Sequence, residues 1–345
     1  MALLEVEDLQ TRFYTEDGVV KAVDGVSWSI DAGERFGIVG ESGAGKSVAS
    51  LSLMRLIDNP GRIEGGEIRF KGENLLEVGG ERMREVRGGE ISMIFQDPQT
   101  ALNPVYTVGE QIAEAIRKHL DLTDEEVENR AIEMLDQVGI PDPAERYSDY
   151  PHQFSGGMQQ RAVIAIALSC DPDLIIADEP TTALDVTIEA QILDLLRELS
   201  EDLDVAVQLI THDLGVVAEI CEEVMVMYAG KAVEKAPVEQ LYYEPKHPYT
   251  VGLMGSIPRI GDERERLDTI PGTMPDLVQL PPGCSFHPRC PYAEEVCTQK
   301  EPPLVDTETG RPATGIDHDA HASACLEYTG DLTTGLDFDI EVRDA

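Results

Sequence analysis

Arg35-Phe-Gly-Ile-Val-Gly40-Glu-Ser-Gly-Ala-Gly45-Lys46-Ser47 decides how this chain folds. The apolar residues before Gly40 read as a short buried strand. Ser47 onward, with Leu51, Met54, Leu56 and Ile57, reads as the helix behind it. Between them, Gly40 to Ser47 fits the phosphate-loop pattern of Gly, four residues, then Gly-Lys-Ser, in the strand-to-helix setting that the pattern requires. Such a loop wraps a phosphate with backbone N–H groups, and the helix N-terminus adds its partial positive charge. The residues assigned to nucleotide are Gly40, Ser42, Gly43, Ala44, Gly45, Lys46, Ser47 and Val48. Among them Lys46 is expected to reach the β and γ oxygens and Ser47 to ligate Mg²⁺. A nucleoside triphosphate site on an α/β scaffold is the expectation.

Outward from the loop, Leu4, Val6 and Leu9 precede a polar turn at Glu16-Asp17-Gly18, and Val23, Val26, Trp28 and Ile30 follow it. This alternation predicts a small antiparallel sheet. Residues 107–140 change period: Val108, Ile112, Ala115 and Ile116 share one helix face, and Val127, Ala131, Met134, Leu135 and Val138 another. These helices read as an insertion. Buried strands return at 174–178, 205–210 and 224–227, so the α/β core resumes. From about 241 the chain becomes Pro-rich and irregular, and residues 331–345, rich in Asp, Gly and Thr, read as a mobile acidic tail.

The second chemical centre is Asp178-Glu179, at the end of an apolar strand. With a phosphate loop present, Asp178 is the expected Mg²⁺ partner and Glu179 the base that takes a proton from the attacking water. Phe154-Ser155-Gly156-Gly157-Met158-Gln159-Gln160-Arg161 opens an apolar helix. By itself it reads as a helix cap.

Taken together, these motifs resemble the ATP-binding cassette family over nearly the whole chain. The resemblance implies a P-loop NTPase fold with an antiparallel β subdomain and an inserted helical subdomain at about 97–154, all within residues 1–240. It also implies a head-to-tail dimer, in which Ser155, Gly156 and Gly157 of one chain close on the ATP of the other. By the same resemblance Phe13, with Tyr14 as its competitor, stacks on adenine, and Gln96 senses Mg²⁺ and water. Thr182-Ala-Leu-Asp185 is the loop that bridges the two sites, and His212 is the switch histidine beside the γ-phosphate. The signature departs from the commonest form, with Phe154 first and Met158 last, but keeps Ser155 and Gly157.

Three further stretches are similar to oligopeptide and dipeptide importer ATPases: Gln96-Asp-Pro-Gln-Thr-Ala-Leu-Asn-Pro104, His247-Pro-Tyr-Thr-Val-Gly-Leu-Met-Gly-Ser-Ile-Pro258 and Gly283-Cys-Ser-Phe-His-Pro-Arg-Cys-Pro291. They imply a C-terminal extension at 241–330, uptake of di- or oligopeptides, a sister cassette, two membrane permeases and an external solute-binding protein. The ATPase would then sit peripherally on the cytoplasmic face. Relatives that import sugars or nickel are the alternative reading, and an exporter ATPase a more distant one. Cys284, Cys290, Cys297 and Cys325 are separated by five, six and 27 residues, which is not the close pairing of short zinc modules. Structural thiols, zinc and an iron–sulfur cluster all remain open on spacing alone, with His287, His318 and His321 as possible zinc ligands. The family resemblance implies a [4Fe-4S] cluster. Cys170 and Cys221 read as core.

Composition narrows the classes further. The chain has 345 residues with 66 Asp and Glu against 27 Lys and Arg, a formal charge of −39, and only eight of the bases are Lys. So negative a surface excludes a general nucleic-acid binder. It also reads as adaptation to concentrated salt, hence a halophilic archaeon. A cassette of DNA repair or translation would bring two phosphate loops, a coiled coil or a basic face, and none is visible. No apolar run is long enough to span a bilayer, and the start, Met1-Ala-Leu-Leu-Glu, lacks the basic and apolar regions of a signal peptide.

Overall fold

The computed structural model describes residues 2–182, 184–255, 270–318, 320–336 and 338. The chain divides into two compact units: Met1–Asp31, Phe36–Leu76 and Thr211–Ala345 form one, Ala32–Arg35 and Glu77–Ile210 the other.

The first unit opens with strands β1 (Leu4–Thr15) and β2 (Gly18–Ile30), paired antiparallel from Leu4↔Ile30 to Thr15↔Gly18. Leu4, Val6, Leu9, Val26, Trp28 and Ile30 are fully buried, as their alternation predicts. Strand β3 (Arg35–Val39) feeds the Gly-rich loop, and helix α1 (Lys46–Leu53) follows it. This helix stops short of the expected Ile57. Arg55 turns into the left-handed region at φ 49°, and Leu56 is 37% exposed. Strands β4 (Gly61–Phe70) and β5 (Glu73–Asn74) complete the antiparallel sheet in the order β2-β1-β4-β5.

In the second unit a short helix α2 (Gly80–Glu85) leads to β6 (Ile91–Ile94) and α3 (Pro98–Ala101). The helical stretch is then α4 (Val108–His119), α5 (Asp124–Gln137) and α6 (Pro143–Arg146). Thr107 caps α4, and Thr123 with Glu126 forms a capping box on α5, so both starts are written locally. Helix α7 (Gly156–Leu168) is apolar on nearly all sides and correspondingly buried. Strand β7 (Leu174–Asp178), helix α8 (Val186–Leu203) and strand β8 (Ala206–Thr211) close this unit. β6, β7 and β8 run parallel, with Ile91↔Leu174 and Leu174↔Ala206 in register. Their carboxyl ends therefore deliver Asp178 and Glu179 to one edge.

The first unit resumes with α9 (Leu214–Ile220), β9 (Glu223–Tyr228), β10 (Lys231–Pro237), α10 (Val238–Tyr243) and α11 (Pro248–Gly255). β9 lies parallel to β3, and β10 antiparallel to β9. The last strands, β11 (Val305–Asp306) and β12 (Ala322–Ser323), attach to β10 through Glu234↔Ser323 and Lys235↔Ala322. The C-terminal chain thus extends the sheet that carries the phosphate loop. Two-residue strands leave no periodicity in the sequence, which is why the segment reads there as irregular.

The described part of the tail, residues 331–336 and 338, is tied to the extension. Glu294 accepts hydrogen bonds from Thr333 and Thr334, Lys300 pairs with Asp331, and Phe338 packs edge-on against Tyr292. Polar capping by one carboxylate holds a segment that has little apolar surface of its own. Residues 337 and 339–345 of that tail, Ala183 of the bridging loop and Ser256-Ile-Pro258 of the His247 stretch lie outside the described residues. Among the described residues no helix is long and apolar enough to cross a membrane.

Candidate functional site

The first unit assembles the phosphate loop. Gly40, Ser42, Gly43, Ala44, Gly45, Lys46, Ser47 and Val48 form one continuous turn from the end of β3 into α1. Gly45 caps the helix at φ 101°, and a Cβ there would stand 2.1 Å from the Ala22 carbonyl oxygen, so only glycine fits. The Ala44 carbonyl accepts from Gly230 N–H at 2.9 Å, and Gly230 in turn accepts from Asp24 N–H at 2.8 Å, which ties the loop to β2 and the β9–β10 turn. Lys46 is only 5% exposed, and its Nζ donates to the Gly40 carbonyl at 2.6 Å and the Glu41 carbonyl at 3.2 Å. Ser42, Gly43 and Ser47 are exposed. The cradle is therefore formed, with its cation parked on its own carbonyls.

Phe13 and Tyr14 share β1 and point to opposite faces. Phe13 is half-buried with its ring edge over Gly61. Tyr14 is 44% exposed, its hydroxyl donates to Glu64 at 2.9 Å, and the Arg62 guanidinium lies 5.7 Å from its ring centre. One face of Tyr14 is thus already taken by a cation.

The second unit brings Gln96 to Glu179. Gln96 Nε2 donates to Glu179 Oε2 at 2.8 Å, and the Thr182 hydroxyl donates to the same oxygen at 2.9 Å. Asp178 is buried at the end of β7. Glu179 has φ 47°, a conformation that a non-glycine residue rarely adopts and that recurs at functional sites. Ser155 is the N-cap of α7, accepting from Met158 N–H at 3.3 Å, as the plain capping reading requires. Ser155 and Gly156 are nevertheless exposed and Gly157 is half-buried, so the turn also faces outward. Asp185 precedes α8 without capping it through its side chain. His212 follows β8, where Asp213 N–H donates to the Thr211 hydroxyl at 3.1 Å and Asp213 caps α9.

The four C-terminal cysteines, spread over 284–325, converge on one narrow, almost wholly apolar cavity with His247, Phe286, His287, Tyr292, Leu326, Leu332 and Leu336. Cys284 N–H donates to the Cys297 carbonyl at 2.9 Å, which joins the two loops. Burial pushes the Cys290 thiol up to about 11 and the Cys325 thiol up to about 12, and raises Cys284 as well. Metal binding here would therefore release protons. Among the described residues, no three of these sulfurs lie within 4.8 Å of one another. His287 lines the cavity, but His318 bonds to Ser29 at 3.1 Å and His321 to Glu234 at 2.7 Å, so neither reaches it. Cys170 and Cys221 are buried just beyond α7 and α9.

Some site residues escaped the sequence. The Thr182 hydroxyl on Glu179, and Arg289 and Tyr249 on Glu41, carry no spacing signal for these contacts, although each of the three residues lies within a stretch quoted above.

Comparison with known proteins agrees with this geometry. The family described as ABC transporter matches residues 23–182, and that described as oligopeptide/dipeptide transporter, C-terminal region, matches 233–297. The chain is 53% identical to a probable peptide ABC transporter ATP-binding protein, y4tR, of Sinorhizobium fredii, over 94% of each chain. It is 50% identical to the dipeptide transport ATP-binding protein DppD of Escherichia coli, covering 90% of this chain and 95% of that one. Among solved structures, a dimeric ATP-binding cassette, MJ0796, in a post-hydrolysis state with ADP and Pi superposes with a TM-score of 0.61 at 26% identity, over 68% of this chain and 98% of that one.

Proposed function

Because the chain belongs to the ATP-binding subunits of oligopeptide and dipeptide ABC transporters, we propose that it hydrolyses ATP to drive peptide uptake through membrane permease subunits. The observation that carries this is the pairing of a complete phosphate loop with an importer-type C-terminal region in one chain of matching length.

In this reading Lys46 leaves the Gly40 and Glu41 carbonyls for the phosphate oxygens, and the N–H groups of 42–48 hold the β-phosphate. Ser47, Asp178 and Gln96 hold Mg²⁺. Glu179, oriented by Gln96 and Thr182, accepts the proton of the attacking water, with His212 as the switch. The exposed Ser155-Gly156-Gly157 turn and Asp185 serve the partner cassette's nucleotide, and the free side of Phe13 takes adenine. Catalysis is then positioning and charge stabilisation of an in-line displacement. The partners are a second cassette, sister in sequence, two permeases and a solute-binding protein, with this subunit peripheral on the cytoplasmic face. The acidic surface fits a halophilic archaeal cytoplasm.

Four thiols lining one cavity support a [4Fe-4S] cluster as the resident group, with zinc as the alternative. Cys284, Cys290, Cys297 and Cys325 would hold the cluster, which supplies a covalent tie between loops and a redox-active centre.

The decisive experiment is reconstitution of the full chain with its permeases, sister cassette and binding protein in vesicles. Peptide-stimulated ATP hydrolysis with peptide accumulation is expected. Stimulation by sugars or nickel, and not by peptides, overturns the substrate class.

A further inference from the structure

The C-terminal extension reaches the phosphate loop through one residue, Glu41, the first variable position after Gly40. Arg289 grips its carboxylate with both guanidinium arms, Nη1 to Oε2 at 2.8 Å and Nη2 to Oε1 at 2.9 Å. The Tyr249 hydroxyl accepts the Glu41 N–H at 2.8 Å. The Glu41 carbonyl accepts from Ala44 N–H at 3.1 Å, which closes the turn, and from Lys46 Nζ at 3.2 Å. N–H, carboxylate and carbonyl are therefore all committed, and two of the four partners come from beyond residue 241.

The clamp is built to be rigid. Arg289 is 8% exposed, its Nε donates to the Pro271 carbonyl at 2.8 Å, and its guanidinium lies 5.8 Å from the Tyr228 ring centre. Tyr228, Tyr249 and Phe286 form a mutually contacting aromatic triad with centroids 4.7 to 5.4 Å apart. Phe286 and Arg289 lie within the loop that runs from Cys284 to Cys290, so the segment that brings two thiols to the cavity also carries the guanidinium. A bidentate pair fixes both direction and distance, which a single lysine contact does not.

We propose that Arg289 is a positioning residue for ATP binding, acting through Glu41 to preorganise the phosphate loop, so that the four-thiol loop and the nucleotide cradle form one mechanical unit. Loop N–H groups held in place cost no reorganisation when phosphate arrives. Without Arg289 the Glu41 carboxylate is left unpaired on the same residue whose backbone carbonyl accepts from Lys46, and it competes with phosphate for that ammonium. The inference rests on the ATP-site reading above.

The test is Mg·ATP affinity of the full-length chain, measured with a fluorescent ATP analogue in one fixed salt buffer, for Arg289→Ala, Arg289→Lys, Glu41→Gln and the double variant Glu41→Gln/Arg289→Ala. Expected is a rise in Kd of about five- to fiftyfold for Arg289→Ala, the usual size of coupling between linked sites. The double variant should bind better than Arg289→Ala alone, because the unpaired carboxylate is gone. In ATPase assays KM should rise more than kcat falls. A Kd within twofold of the parent for Arg289→Ala, or strictly additive effects in the double variant, overturns the proposal. If Arg289→Ala fails to fold, the near-isosteric Glu41→Gln and Arg289→Lys decide, and parental affinity in both overturns it. A parent chain that binds no Mg·ATP removes the ATP-site reading instead, and this inference with it.

Discussion

Gln96 and Glu179 stand 83 residues apart in sequence and 2.8 Å apart in space, amide to carboxylate, with the Thr182 hydroxyl on the same Glu179 oxygen. Two donors on one oxygen fix the rotation of the carboxylate, and the left-handed backbone of Glu179 fixes where it points.

In the role proposed above for Glu179, replacement by its amide removes proton acceptance and little else. Glu179→Gln should bind Mg·ATP like the parent, while turnover falls by about 10² to 10⁴, the usual contribution of a general base. Steady-state ATPase assays alongside equilibrium binding measure the two separately, and undiminished turnover would remove Glu179 from its assigned role.

Adenine should choose Phe13 over Tyr14, because the Tyr14 ring already lies beside Arg62 and its hydroxyl is tied to Glu64. Phe13→Ala should weaken ATP binding by about 1–3 kcal/mol, the scale of base stacking on an aromatic ring. Tyr14→Ala should leave affinity within a factor of about two, well under the tenfold that 1.4 kcal/mol represents. The reverse ranking in a binding titration assigns adenine to Tyr14.

Salt should stabilise this chain. With a formal charge of −39, self-repulsion is long-ranged at about 0.1 M salt, where the Debye length is about 10 Å, and short-ranged at about 1 M, where it is about 3 Å. Thermal unfolding followed by circular dichroism should give a Tm that climbs steadily with KCl. A Tm indifferent to KCl argues against the halophilic reading.

Acid should loosen the C-terminal segment. Hydrogen bonds from Thr334 and Thr333 hold Glu294 down to about 2, against an ordinary 4.5. A carboxyl lowered in the folded state stabilises it above the unfolded value and loses that contribution as pH falls toward the folded one. The tether is therefore intact above about pH 4.5 and weakens from there toward pH 2. Glu294→Gln should mimic the acid state at neutral pH, and faster amide exchange at Thr333 and Thr334 would register it.

Anaerobically purified protein should absorb near 400 nm and carry about four irons per chain. Cys325→Ser, which removes one of the four thiols lining the cavity, should bleach that band and lower the iron content. Colourless protein with stoichiometric zinc excludes the cluster.

The phosphate loop, the Asp178-Glu179 strand end and the Ser155 turn were legible because each depends on neighbours in sequence: glycines that permit a conformation, an apolar run that ends in a carboxylate, a hydroxyl that caps a helix. The end of α1 was misread by four residues, since an apolar helical pattern continues through Leu56 and Ile57 although Arg55 has already left the helix. The segment after 241 gave little away, because its strands are two residues long and its order comes from single polar contacts such as Glu294 with Thr333 and Thr334.

What the amino-acid order determined by itself was the chemical make-up of each piece: a phosphate-loop pattern, an Asp-Glu pair at a strand end, a hydroxyl at a helix start, four thiols in a Pro-rich stretch. Which pieces meet was decided only in three dimensions. The carboxylate of Glu41 is held by a guanidinium 248 positions away, and four cysteines without regular spacing share one cavity. Local conformation follows from short-range sterics and hydrogen bonding, whereas partners at such separations are selected by the burial and packing of the whole sheet, which no local pattern encodes.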